Sequence, residues 1–169
     1  PVDVSGAIGP EVADLVLFGA ARADRSGWVI APAGDVDADG YADFLVGGNR
    51  STSAVQSAPG FAYLVLGSPE LPGAAVLSEI AVASFKGTLA LTLYGSALGG
   101  VGDVNGDGFD DVAIGDPAYN SQGADSGALR VWFGPVEGGV HGINDADLVL
   151  QSDRRGARFG GGVGRVGDL

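Results

Sequence analysis

The sequence predicts an all-β chain made of repeated units of short strands. Three observations carry that reading. An acidic stretch occurs twice, as GDVDADGYADFLVGGN at 34–49 and GDVNGDGFDDVAIGDP at 102–117. Glycine supplies 31 of 169 residues, too many for a helical protein but suited to tight turns. The apolar runs, such as FLVGG and VAIGD, are short and stop at glycines, the mark of buried strands rather than helices.

The repeat extends beyond the acidic stretch. Asp35 and Asp103 are 68 residues apart, and Asp103 and Asp168 are 65 apart. Gly27, Gly95 and Gly160 are separated by the same steps. ADLVL occurs at 13–17 and at 146–150, an offset of 133, which equals 68 plus 65. GFAYLVLG at 60–67 matches GALRVWFG at 127–134 at an offset of 67. Repeats of this length with several short strands point to propeller blades.

The elements follow in order. Strand one is expected at 28–33 and again at 97–101, strand two at 44–47 and 112–115, and strand three at 61–66 and 128–133. The outer strand is expected near 75–83 and at 146–150. Strands one to three are apolar on both faces, as expected where units stack against neighbours. The segment PELPGAAVLSEIAVAS could form a short helix, but the repeat register favours a loop and an edge strand there. Trp28, Trp132, Phe61, Tyr63 and Phe133 fall within strand patterns and are expected in the packing.

Each acidic stretch has the composition of a cation loop. Asp35, Asp37, Asp39 and Asp43 form one set; Asp103, Asn105, Asp107 and Asp111 form the other. Carboxylates this close repel unless a cation lies among them. Hard oxygen donors at alternate positions suit calcium, which takes six to eight oxygens at about 2.3–2.6 Å. Gly40 and Gly108 fall where the loop must turn sharply. The first half reads like an EF-hand, but position 12, where an EF-hand needs a bidentate acid, is Val46 or Ile114. The last acid falls at position 9, and a strand follows it, so the loop joins two strands. Side chains of positions 1, 3, 5 and 9 are the expected ligands, with the carbonyl of position 7, Tyr41 or Phe109. The bland alternative is a pair of solvated acidic turns.

These residues resemble the FG-GAP repeat family, the blades of integrin alpha-subunit propellers and of many bacterial surface proteins. The FG half is matched by Tyr94-Gly95 and Phe159-Gly160, and weakly by Ser26-Gly27. The GAP half is matched by Gly115-Asp116-Pro117, and loosely by Gly47-Gly48-Asn49. The resemblance implies four-stranded antiparallel blades with a calcium ion in the loop between the first two strands. It divides the chain into an outer strand of a preceding blade (1–21), one blade with its loop at 35–43 (22–90), a second with its loop at 103–111 (91–156), and the start of a third (157–169). About two and a half blades cannot close a ring, because propellers need roughly four to eight. The expected partners are therefore further blades of the same polypeptide or other copies of the chain. A start at Pro1 and the lack of Met predict a processed product or a fragment.

Composition limits the function. Lys+Arg is 9 and Asp+Glu is 21, a net charge of −12. Two calcium ions would bring this to −8. Such a surface disfavours nucleic acid and anionic membranes. There is no cysteine, and no apolar run approaches a membrane span. The leading expectation is a non-catalytic, calcium-stabilised propeller segment of an extracellular adhesion or cell-surface protein, with a protein or glycan ligand. The alternatives are the propeller portion of a secreted lyase or lipase and a head-to-tail filament subunit. For an enzyme the sequence offers little: His141, the one histidine, lies in the glycine-rich stretch EGGVHGIN and reads as a surface or turn residue. There is no G-x-S-x-G elbow and no P-loop. Asn49-Arg50-Ser51 fits a glycosylation acceptor but reads as a loop, and Asp153, Arg154, Arg155 and Arg158 read as a solvated loop.

Overall fold

The computed structural model describes residues 13–20, 25–48, 59–88, 93–120 and 125–164. They form two mainly antiparallel sheets and a third, two-stranded parallel one. The first repeat supplies β2 (Ser26–Gly34), β3 (Asp43–Gly48), β4 (Phe61–Val65) and β6 (Ala83–Lys86). The second supplies β7 (Leu98–Gly102), β8 (Asp111–Asp116), β9 (Ala128–Trp132) and β11 (Leu148–Gln151). Within each repeat these four strands pair antiparallel in chain order.

The registers coincide between repeats. Ile30 faces Val46 as Leu98 faces Ile114, and Phe44 faces Val65 as Val112 faces Trp132. Both first strands shift register at the same place, between Pro32 and Gly34 and between Gly100 and Gly102. Such a bulge bends the strand, here at the end that leads into the acidic loop.

Side chains alternate across the first sheet, as a strand's two-residue period requires. Leu45, Ala62 and Leu64 face one core that continues into Val112, Ile114 and Trp132 of the second sheet. Phe85 and Trp132 meet in that core with ring centroids 4.7 Å apart. Val46 and Val65 face the other way and are covered by Leu77. The two sheets approach closely: a Cβ on Gly100 would lie 2.0 Å from the carbonyl oxygen of Ala33.

Several expectations need correction. The outer strand of the first repeat is β6, not 75–83. The segment before it holds β5 (Ala74–Val76) and a single helical turn, α1 (Leu77–Ile80), because Leu77 is drawn onto the Val46–Val65 face. The first sheet has five strands rather than four, since β10 (Gly139–Gly142) runs parallel along β6. His141 therefore lies in a strand, not a turn; its ring stacks on Phe85 at 5.4 Å. β1 (Val16–Phe18) pairs in parallel with β5. Trp28 is 60% exposed and Ile30 66% exposed, so β2 is not buried on both faces. Trp132 and Phe61 are in the core. The Asn49-Arg50-Ser51 triplet, Gly167-Asp168-Leu169 and most of 1–21 lie outside the described residues.

Candidate metal centre

The first acidic loop leaves β2 at Gly34, whose φ of +97° is a conformation glycine adopts without strain. Asp35 then organises the turn. Its Oδ1 accepts the Asp39 N–H at 3.0 Å and its Oδ2 accepts the Gly40 N–H at 3.0 Å. Asp39 Oδ1 accepts the Tyr41 N–H at 2.8 Å. This folding brings one carboxylate oxygen each from Asp35, Asp37 and Asp39 within 4.8 Å of one another.

The second loop repeats the arrangement. Asp103 Oδ1 accepts from Gly106 and Asp107, and its Oδ2 accepts from Gly108 at 2.9 Å. Asp107 Oδ1 accepts the Phe109 N–H at 3.0 Å, and the Asn105 amide donates to Asp107 Oδ2 at 2.8 Å. The N–H of Gly108, with help from Gly106 and Asp107, holds the Asp103 carboxyl below the usual range.

Asp43, outside the three-carboxylate group of the first loop, and Asp111 tie each loop to its sheet. Asp43 is 2% exposed and accepts the N–H of Val36 and of Gly67, both at 2.7 Å. Asp111, wholly buried, accepts the N–H of Val104 at 2.8 Å and of Gly134 at 2.9 Å. Burial raises both carboxyls, and the nearby charges of the same loop (Asp37 and Asp35, or Asp107 and Asp103) raise them further. The N–H donors act in the opposite sense but do not win. Each loop therefore concentrates negative charge that a cation would neutralise. An all-oxygen donor set of this kind fits a hard divalent ion. Tyr41 is exposed and Phe109 half-buried, each directly after the loop's sharp glycine.

Residues 94–132 match the family model of the FG-GAP repeat. The chain carries an FG-GAP repeat. The matched FG-GAP segment runs from Tyr94 through the second acidic loop to the end of β9, and the structure gives its signature residues physical roles. Tyr94 is fully buried. Gly95 (φ +76°) lets the Phe61 carbonyl approach, since a Cβ there would lie 2.4 Å from that oxygen. Its N–H donates to the Gly115 carbonyl at 3.0 Å, linking the FG and GAP halves. Gly160 stands in the same relation to the Ala128 carbonyl, at 2.2 Å. Gly27, in the weakened Ser26-Gly27 pair, has nothing within 4 Å of its would-be Cβ.

Two features of the FG-GAP region are absent from the sequence reading. Arg130 is buried and pairs with Asp116 at 3.3 Å, donates from Nε to the Ile143 carbonyl at 3.1 Å, and lies 4.5 Å from the Tyr119 ring centre. A charged residue inside the strand GALRVWFG was the available signal. The second is Asp110, whose side chain serves the other loop: its Oδ2 accepts the Asp35 N–H at 2.9 Å. The solvated-loop residue Arg158 pairs with exposed Asp125 at 3.4 Å.

Proposed function

We propose that this chain is a calcium-stabilised, non-catalytic β-propeller segment of an extracellular adhesion or cell-surface protein, in which the metal is structural. The observation that supports this most is the acidic loop built twice in one register between the first two strands of a repeat. One ion would be held by Asp35, Asp37, Asp39, Asp43 and the Tyr41 carbonyl. The other would be held by Asp103, Asn105, Asp107, Asp111 and the Phe109 carbonyl. Calcium supplies positive charge among carboxylates that otherwise repel, and so holds the loop shut. Its flexible coordination suits such loops better than the near-octahedral demand of magnesium.

In this reading residues 22–90 and 91–156 are two blades, 1–21 belongs to a preceding one and 157–169 opens the next. The partners are further blades or other copies of the chain, with a protein or glycan ligand on the assembled propeller. An extracellular setting rests on the FG-GAP repeat and on plentiful calcium there, which permits dissociation constants of order 0.1–1 mM. Among the described residues no helix is long and apolar enough to cross a membrane. The non-catalytic reading is supported at His141, whose Nε2 lies 2.8 Å from the Glu137 carbonyl and whose ring is stacked on Phe85.

Thermal unfolding in EDTA, calcium or magnesium tests the metal. A ligand at a hundredfold excess over its dissociation constant stabilises by about 2.7 kcal/mol per site. Calcium should raise the midpoint clearly and magnesium much less. One midpoint in all three conditions refutes the reading.

A further inference from the structure

We propose that Asp110 is a positioning residue that couples the two acidic loops, so that a cation in the second loop strengthens binding in the first. The inference rests on the cation-binding reading above. Asp110 belongs to the second loop and lies between Phe109 and Asp111, two of its proposed donors. Two of its hydrogen bonds cross to the first loop. Its N–H donates to the Asp35 carbonyl at 3.1 Å, and its Oδ2 accepts the Asp35 N–H at 2.9 Å. The two bonds clamp the N–H and C=O of one residue 75 positions away. That residue is the first donor of the first loop and the acceptor around which the loop folds. The clamp requires glycine at 34, where a Cβ would lie 2.0 Å from Asp110 Oδ2.

The coupling follows from shared order. A cation that engages the Phe109 carbonyl and Asp111 fixes the peptide between them, and Asp110 with it. Asp110 then holds the Asp35 backbone in place, so the first loop meets a smaller ordering cost when its own cation arrives. By linkage, a cation in the first loop strengthens the second by the same factor. Repulsion between the two cations opposes this. It is reduced by the Asp110 carboxylate and by salt, whose screening length is about 8 Å at physiological ionic strength.

Terbium luminescence provides a loop-specific readout. Tyr41 stands at position seven of the first loop and Phe109 at position seven of the second, so tyrosine-sensitised emission reports the first loop, with Tyr41→Phe as background. The half-saturating terbium concentration is measured for the unaltered chain, Asp107→Ala, Asp110→Ala, Asp110→Asn and the Asp107→Ala/Asp110→Ala pair, with calcium displacement as a check. Disabling the second loop by Asp107→Ala should weaken the first by about fivefold or more, the lower range of measured couplings. Asp110→Ala should weaken it similarly, and adding Asp107→Ala should then cost nothing further. Asp110→Asn keeps an oxygen acceptor and should retain the coupling. Equal first-loop affinity in the unaltered chain and Asp107→Ala overturns the proposal, whether or not Asp110→Ala folds. So does a coupling that survives in folded Asp110→Ala. Binding of neither terbium nor calcium would overturn the cation reading and this proposal together, whereas binding without coupling overturns this proposal alone.

Discussion

Gly115 lies directly against the backbone of Gly160: a Cβ on Gly115 would come within 2.0 Å of the Gly160 carbonyl oxygen. Gly47 meets the Gly95 carbonyl in the same way, at 2.5 Å. The contacts are one repeat apart, so each second strand offers the same seat to the start of the following repeat. The obstacle is backbone, which cannot swing aside. Gly115→Ala should therefore destabilise the chain by about 1–3 kcal/mol, the usual cost of overpacking. Gly162→Ala, where nothing lies within 4 Å, is the control. Urea midpoints compare them, and equal losses would show that the seat does not matter.

Ala38 has φ of +58°, while its counterpart in the second loop is Gly106 at +80°. A side chain in the left-handed region costs roughly 1–2 kcal/mol. Glycine removes that strain but loosens the unfolded chain, which offsets part of the gain. Ala38→Gly is expected to raise the calcium-free melting temperature slightly, with a net gain below about 1 kcal/mol. A lower melting temperature would mean that the alanine is unstrained there.

Arg130 and Asp116 are almost wholly buried as a pair. Removing one partner strands the other charge in the core, at about 3–5 kcal/mol. Arg130→Met should therefore unfold much earlier in denaturant. Arg130→Met combined with Asp116→Leu should recover part of the loss. A double variant no better than the single one would argue against stranded charge as the cause.

The loop carboxyls set a pH dependence in the metal-free chain. Asp43 and Asp111 are raised by burial above 3.8, so their contribution to stability is complete below 3.8 and is lost as pH rises through their folded values. Asp103 is lowered, so its contribution is present above 3.8 and is lost only as pH falls further. Metal-free stability should therefore decline from about pH 4 upward, in the same direction as the growing repulsion of a chain with net charge −12. Calcium should flatten that decline. Urea midpoints across pH measure it, and metal-free stability that climbs toward neutrality would contradict the assignment.

The strands at 44–47, 112–115, 61–66 and 128–133 were legible because each apolar run is bounded by glycine or aspartate. The acidic stretches were legible as turns between strands because their aspartates and glycines are close in sequence. The burial of β2 was not. Ile30 and Leu98 occupy the same place in the two repeats, yet Ile30 is 66% exposed and Leu98 is 3% exposed. Leu98 is covered by the preceding sheet, its Cδ1 lying 2.9 Å from the Cβ position of Gly47. Among the described residues nothing covers Ile30 in that way, and the same reason applies to Trp28. Place in the array, not local sequence, decides such burial. The outer strand was misplaced because 74–82 has no glycine to mark where β5, α1 and β6 divide. The Asp110–Asp35 clamp and the Arg130–Asp116 pair join residues 75 and 14 positions apart, which spacing alone does not announce.

The parallel seam between β6 and β10 has a consequence for biosynthesis. Ser84 and Gly139, which meet across it, are 55 positions apart. At roughly 5–20 residues per second, the ribosome needs about 3–11 s to make that interval. For that time the first sheet emerges with β6 as a bare edge and Phe85 without its histidine neighbour. Unpaired edges are where nascent chains capture one another, so crowded ribosomes making this protein would meet their greatest hazard before β10 is made.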